Sequence, residues 1–198
     1  MNPRRSPIRR AMRGPSSPHS SIAGSLLLAH PGLLDENFRR SVVLISAHTQ
    51  GDGALGVIIN RPLEKTLGEM HGEFAYGPLA GVKLFRGGPV SPEQMLLSAW
   101  QWNAEAGVFR LHFGISAEKA TDLLETEPGT EVRGFLGYAG WTGGQLEGEL
   151  KQKAWVVAPI DDPGFQDGNG EDLWKHLLGR VQPELFFQSD APEDPSVN

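Results

Sequence analysis

Residues 41–61 read SVVLISAHTQGDGALGVIINR, and this stretch predicts the centre of the fold. Two apolar runs, residues 42–45 and 55–59, place apolar side chains on both faces of an extended chain. Short runs rich in β-branched residues are typical of strands that are covered on both sides. Residues 49–53 contain two glycines, which suits a hairpin turn. We therefore predict a buried central hairpin with other elements packed on its two faces.

The rest of the chain predicts short strands interspersed with a few helices. Pro62 has no backbone N–H, so it should end the second hairpin strand. Thr142 and Gln145 have the spacing of a capping box, which predicts a helix start. No internal repeat or second domain is evident. The other predicted strands cover residues 25–30, 83–86, 94–100, 107–113, 131–138 and 155–159; the predicted helices cover 67–71, 116–127, 143–154 and 173–178, and a mobile loop is predicted at 74–82.

The composition excludes several classes of protein. The 198 residues include no cysteine, which rules out disulfide bonds, thiolate chemistry and cysteine-based zinc sites. No apolar run approaches the roughly 20 residues that a membrane-spanning helix needs. The leader has arginine pairs but lacks the apolar segment of an export signal. We predict one domain in a cytoplasmic protein that does not contact a membrane.

Charge is distributed unevenly along the chain. Residues 1–23 contain five arginines and no acid, and with their prolines and serines they predict a disordered basic tail. Residues 188–198 predict a disordered acidic tail, which leaves residues 24–187 as the domain. Residues 24–198 contain 13 Lys and Arg against 24 Asp and Glu, a net charge of −11. Since an acidic body repels phosphate backbones, direct DNA binding is not expected.

Searches for catalytic templates find no match. The chain contains no Gly-x-Ser-x-Gly elbow and no Gly-Lys-Ser/Thr of a P-loop. The histidines lack the spacing of a zinc protease, and the acidic stretch 161–172 does not fit an EF-hand loop. We predict no catalytic residue, metal or cofactor, and interpret His48 as a solvated residue at a strand end.

A polar set lies at the ends of the predicted central strands, where a rigid sheet often carries a site. It comprises Arg39, Ser41, Asn60, Arg61 and Arg86. Two interpretations stay open: the arginines pair with acids and hold loops, or they bind an anion. In the second case the Gly87–Gly88 turn would form the wall of the site, since glycine lets a ligand approach the backbone closely.

A glycine-rich turn precedes one predicted helix and offers a second place for an anion. Free amides at a helix start can bind phosphate, although residues 137–144 match no known phosphate motif. The alternative is a tight turn with a tryptophan packed into the core. The candidate residues of this turn are Trp141, Gly143, Gly144 and Gln145.

Four blocks of sequence resemble the YqgE/AlgH family of bacterial proteins. They are GSLLLAHPGLLDENFRRSVV from Gly24, GALGVIINRP from Gly53, FRGGPV from Phe85 and GYAGWTGGQLEGEL from Gly137 with Trp155. The resemblance implies a single α/β domain with a bifurcated, mostly antiparallel sheet, a small barrel part and flanking helices. It implies no defined activity, although some members are labelled transcriptional regulators. The family motifs fall on Phe38, Arg39, Ser41, Gly56, Asn60, Pro62, Gly87, Gly88, Pro89, Gly137, Trp141, Gly144, Gln145 and Glu149.

The sequence therefore predicts a binding or regulatory module without catalytic turnover, with a protein partner and an indirect role in transcription. The alternative is an enzyme or binding protein for a phosphate- or nucleotide-like anion. That alternative would combine Arg39, Asn60 and Arg86 with the helix start at residues 140–145.

Overall fold

The computed structural model describes residues 21–103, 105–161 and 170–189. Nine strands form one sheet within these residues, five helices accompany it, and a 3₁₀ turn covers Gly72–Phe74. The strands are β1 (Leu26–Ala29), β2 (Val42–Thr49), β3 (Gly53–Ile58), β4 (Pro62–Thr66), β5 (Lys83–Arg86), β6 (Val90–Asn103), β7 (Val108–Ile115), β8 (Glu131–Thr142) and β9 (Trp155–Ala158). The helices are α1 (Leu67–Met70), α2 (Ala117–Thr126), α3 (Gln145–Lys151), α4 (Gly170–Val181) and α5 (Pro183–Ser189).

The long strand β8 divides the sheet into two branches. Its first half lies between β5, which runs parallel to it, and β6, which runs antiparallel. Its last residues pair with β3 instead, and the order continues through β2 and β1 to β9. All other pairings are antiparallel, and the sheet curls as a half-barrel. The predicted bifurcated sheet in a mixed α/β domain is confirmed.

The central hairpin separates two hydrophobic cores, as its apolar pattern predicts. Val42 and Leu44 face the core that contains the apolar side of α4. Val43 and Ile45 face the opposite core, where Leu146 of α3 packs. Because successive residues of a strand point to opposite faces, one four-residue run contributes to both cores. A third core lies between α2 and the branch formed by β5 and β6.

Three local predictions need correction. The second hairpin strand already ends at Ile58, and Pro62 begins β4, because proline is tolerated at the first position of an edge strand. Leu79 and Val82 are buried, so the predicted loop 74–82 is anchored at its end. The capping box forms only in part: the Gln145 side chain accepts from the Thr142 backbone N–H at 3.1 Å, whereas Gly144 occupies the N-cap position.

The described residues also include short segments on both sides of the predicted domain, residues 24–187. Ser21 Oγ donates to the carbonyl oxygen of His48 at 2.8 Å, and the Ile22 N–H donates to the His48 ring at 3.2 Å. Residues 21–23 therefore contact the body, and α5 continues through Ser189. The remaining tail residues, 1–20 and 190–198, lie outside the described residues. No helix in the described ranges has both the length and the apolar character needed to cross a membrane.

Candidate functional site

A pocket opens where the two branches of the sheet meet. The Ile58 N–H donates to the carbonyl oxygen of Gly87, and the Gly87 N–H donates to that of Leu136, both at 2.8 Å. The Arg86 N–H donates to the carbonyl oxygen of Arg61 at 2.9 Å. These bonds bring the ends of β3 and β5 together against the middle of β8. Two arginines that are 25 positions apart in sequence therefore lie side by side.

We call this cavity the fork pocket. Its volume is about 410 Å³, within the range of about 300–1,000 Å³ that is typical of small-molecule sites. Two guanidinium-bearing side chains, one amide and several apolar residues form its wall. The lining residues are Asn37, Ile58, Arg61, Leu63, Arg86, Gly88, Pro89, Pro92 and Leu136.

Positive charge accumulates around Arg61. Its guanidinium donates from Nη2 to the carbonyl oxygen of Arg39 at 3.0 Å, which fixes the side chain beside the pocket. Burial lowers the pKa of Arg61, the charges of Arg86 and Arg39 lower it further, and Asp35 opposes them. An arginine remains protonated at neutral pH despite such a shift. The cluster therefore holds guanidinium groups whose mutual repulsion a bound anion would relieve.

Arg86 offers its guanidinium to solvent. The residue is exposed at the end of β5, and no side-chain hydrogen bond or ion pair connects it to another residue in the described part of the chain. A guanidinium carries five N–H donors in a planar fork that suits carboxylate and phosphate oxygens. Arg86 is therefore the best-placed donor for a ligand in the fork pocket.

The lack of a side chain at Gly87 and Gly88 is required by backbone packing more than by access of a ligand. A Cβ on Gly87 would lie 2.2 Å from the carbonyl oxygen of Gly137, and one on Gly88 would lie 2.2 Å from the backbone of Tyr138. Gly88 also has a φ of 156°. The expectation that glycine here admits a ligand is corrected: the backbone of β8 occupies that space. Gly88 nevertheless lines the fork pocket.

Asn60 and Ser41 are buried in the interior and do not line the pocket. Asn60 is buried; its Oδ1 accepts from the Val42 N–H at 2.8 Å. Its Nδ2 donates to the carbonyl oxygens of Arg40 at 3.0 Å and Gly170 at 2.7 Å. Ser41 is fully buried, and its hydroxyl has no hydrogen-bond partner among the described residues. Neither residue lines the fork pocket.

The glycine-rich turn lies at the other end of β3, far from the arginines. Thr142 pairs with Gly53, whereas the fork pocket adjoins Ile58. At about 3.3 Å per residue these positions are roughly 17 Å apart. The helix start that follows Thr142 therefore lies away from Arg61 and Arg86 of the fork pocket.

At that helix start the side chains already satisfy one another. A Cβ on Gly143 would lie 2.2 Å from the carbonyl oxygen of Gly51, so Gly143 packs against the hairpin turn. The carboxylate of Glu147 accepts from the Gly51 N–H at 3.1 Å. Hydrogen bonds from its own N–H and from Gly51 lower the pKa of Glu147, with a smaller contribution from His48. A carboxylate of the chain thus occupies the place of a bound anion.

Trp141 belongs to an aromatic cluster below α3. It stacks on Phe38 with ring centroids 6.2 Å apart and meets Trp155 edge-to-face at 6.0 Å. Glu149 Oε2 accepts from the indole N–H groups of both tryptophans, at 2.9 and 2.7 Å, and Oε1 accepts from Gln145 at 3.0 Å. Both indoles are almost completely buried. The cluster attaches α3 to the sheet.

His48 is not solvated, which corrects its interpretation as an exposed strand-end residue. Its side chain is 5% exposed, and its Nδ1 accepts from the Ile22 N–H. Nε2 lies 3.4 Å from Oε1 of Glu147, so the neutral ring carries its proton there. Within the described ranges no three His, Asp or Glu side chains are grouped so that they could hold a metal ion.

Sequence reasoning identified the arginines of the fork pocket but missed its apolar lining. Leu63 lies on β4, which was not predicted. Pro92 belongs to the extended start of β6, and Leu136 lies at the fork of β8. Their only sequence signal is proximity to the motifs GALGVIINRP, FRGGPV and GYAGWTGG, since nothing local shows that these segments meet.

Comparison with known proteins identifies the family. A model of the AlgH-like family matches residues 26–185 of this chain, which include both branches of the sheet and the fork pocket. The chain belongs to the AlgH-like family. A UPF0301 protein of Streptomyces coelicolor is 38% identical over 190 residues, covering 90% of this chain and 96% of that relative. One from Xanthomonas campestris is 37% identical over 182 residues, covering 85% and 94%.

Two solved AlgH-like structures have the same architecture. Protein DIP2367 from Corynebacterium diphtheriae, a crystal structure, superposes with a TM-score of 0.66 at 25% identity, covering 91% of this chain and 95% of that chain. The solution structure of AlgH from Pseudomonas aeruginosa gives a TM-score of 0.61 at 25% identity, covering 92% and 100%. The resemblance to the YqgE/AlgH family is thereby confirmed for both sequence and fold.

Proposed function

We propose that this protein is a binding module for an anionic ligand, which it holds in the fork pocket without chemical turnover. The observation that carries the proposal is the shared position of Arg61 and Arg86 on one cavity of about 410 Å³. The charges of Arg86 and Arg39 both repel that of Arg61, and Asp35 opposes them. A ligand with negative charge would neutralise this repulsion and engage the unused donors of Arg86.

The chemistry of the lining favours binding over catalysis. The side chains that line the fork pocket are guanidinium, amide and apolar groups. None of these types exchanges a proton near neutral pH or acts as a common nucleophile. The sequence-based expectations of a cytoplasmic location, a protein partner and an indirect regulatory role stay predictions. Ligand binding would be the input to such a role.

Calorimetric titration of the full chain with methyl phosphate and inorganic phosphate tests the proposal. We expect saturable binding that weakens as salt is raised, because an exposed guanidinium is screened by salt. Arg86→Gln should weaken binding by at least tenfold while the melting temperature holds. Arg110→Gln is the matched control, since Arg110 is also an exposed arginine at a strand position but pairs with Glu127. Equal affinities in the two variants would refute the proposal.

A further inference from the structure

The fork pocket has apolar surface that a simple anion would leave uncovered. Leu63 and Leu136 are half-buried, whereas Pro89 and Pro92 are exposed. All four line the same cavity as the two arginines. Inorganic phosphate has no group to place against them. A ligand that fills the cavity therefore has an apolar part next to its charge, because covering such surface is favourable by roughly 25 cal/mol per Å².

The balance of charge indicates the kind of head group. Arg61 and Arg86 both line the cavity, and the charge of Arg86 acts on the guanidinium of Arg61. Among the described residues, the lining of the cavity therefore has an excess of two positive charges and contributes no carboxylate. A phosphate monoester carries about −1.5 to −2 at pH 7, which matches this excess better than the single charge of a carboxylate. Its three terminal oxygens can also accept from two guanidinium groups at once.

On the basis of the proposed function, we propose that the ligand is a small amphiphilic phosphate monoester. Its phosphate contacts the guanidinium groups of Arg61 and Arg86, and its organic part covers Leu63, Pro92 and Leu136. The enclosed volume of about 410 Å³ suits a small molecule more than a folded domain. The walls come from β4, β5 and β6 on one branch, from Ile58 of β3 on the other and from the shared strand β8, so the ligand would bridge both branches of the sheet.

A homologous series of ligands measures the apolar contribution directly. Methyl, butyl and hexyl phosphate are titrated into the full chain, with butyrate and hexanoate as carboxylate counterparts of the longer esters. Each buried methylene contributes about 0.8 kcal/mol, so affinity should rise roughly two- to fourfold per methylene until the pocket is filled. At equal chain length the phosphate should bind more tightly than the carboxylate.

Two substitutions in the wall of the fork pocket test which residues cause the rise in affinity with ligand chain length. Pro92→Ser removes apolar surface at an exposed position that has no backbone N–H to lose. Leu136→Thr removes more surface and keeps a residue suited to a strand. Both variants should flatten the dependence on chain length while methyl phosphate binds as before. Val108→Thr, at a residue that is 52% exposed on β7, is the matched control and should leave the series unchanged.

The outcomes separate this inference from the proposed function. If methyl phosphate binds through Arg86 but affinity does not rise with chain length, the pocket binds anions and the amphiphilic ligand is wrong. Tighter binding of the carboxylates would overturn the choice of head group. Should no member of the series bind in a manner that depends on Arg86, the proposed function fails as well.

Discussion

Nε1 of Trp155 donates a hydrogen bond of 2.7 Å to Oε2 of Glu149, and this carboxylate joins α3 to two strands of the sheet. The same oxygen accepts from Trp141 at 2.9 Å. Replacing Glu149 with Ala would leave two buried indole donors without acceptors, at about 1–3 kcal/mol each. We expect the melting temperature to fall by roughly 5–20 °C for a domain of this size.

Glu118→Ala is the matched control for that measurement, because Glu118 is an exposed glutamate in α2. It should change the melting temperature by little more than a degree. The melting temperature of Glu149→Gln should fall between those of Glu149→Ala and the control, since an amide oxygen can still accept from one indole. A Glu149→Ala variant as stable as the control would show that water replaces the carboxylate.

Asn60 is expected to stabilise the fold without contributing to ligand binding. Asn60→Ala removes the acceptor of the buried Val42 N–H and both donors to the chain. The free energy of unfolding should drop by about 2–3 kcal/mol in a urea titration. Asn103→Ala, which removes a single exposed turn bond to Ala106, should cost less than about 1 kcal/mol. Unchanged stability together with lost phosphate binding would place Asn60 in the site instead.

The hairpin could be predicted because its signal is local. The apolar run at residues 42–45 contains the information that both faces are covered, and the structure distributes those residues between two cores. The proximity of Arg61 and Arg86 is different. This proximity depends on β5 lying next to β8 and on β8 also pairing with β3. The sequence near the arginines indicates neither pairing.

Glycine gave the least reliable functional signal. A glycine that admits a ligand and a glycine that admits another backbone look alike in sequence. At Gly88 and Gly143 the neighbour is the chain's own backbone. Likewise, nothing in the local sequence shows that the Asn60 side chain forms its hydrogen bonds with Val42, Arg40 and Gly170, because Gly170 is 110 residues away. Tertiary contacts of this kind separate the structural residues from the residues that remain for a ligand.

Glu147 should make stability depend on acidity below about pH 4.5. Hydrogen bonds from its own N–H and from Gly51 lower its pKa in the folded state below the ordinary value of 4.5. A lowered pKa contributes stability above the unfolded pKa, and this contribution is lost as pH falls through the folded value. The free energy of unfolding of the native chain should therefore exceed that of Glu147→Gln by on the order of 1 kcal/mol near pH 7. This difference should shrink toward pH 3.

Urea titrations of both proteins at several pH values between 7 and 3 measure this difference. A Glu118→Gln variant, at an exposed position of α2, serves to remove changes common to the whole chain. If the difference in the free energy of unfolding between the native protein and Glu147→Gln stays constant down to pH 3, the stabilising role of the Glu147 carboxylate is contradicted.

The contacts of residues 21–23 predict different effects for two truncations. Deleting residues 1–20 should leave the melting temperature nearly unchanged. Deleting residues 1–23 also removes the bonds of Ser21 and Ile22 to His48 and the packing of Ile22 on the core. We expect an additional loss of about 1–2 kcal/mol. Ile22→Ala in the full chain should reproduce part of it, and an equal loss from both truncations would mean that the leader contacts the body.

The charge distribution predicts how the protein behaves toward DNA. Residues 24–198 carry a net charge of −11, so a chain that begins at residue 21 should not select any sequence from a pool of genomic fragments at about 0.15 M salt. Full-length protein should show at most weak, salt-sensitive binding through its five leading arginines. Selective retention by the truncated chain near 10⁻⁸ M would instead indicate an operator-binding protein.

The forked strand β8 has a consequence for how the molecule loses its structure. Its residues pair with β3, β5 and β6, so neither branch of the sheet can open by itself without exposing this shared strand. Unfolding of the two branches should therefore be cooperative, with the slowest amide exchange at residues 132–139. A molecule bound at the junction would then slow the opening of both branches together, and its occupancy could be detected as amide protection far from the arginines that hold it.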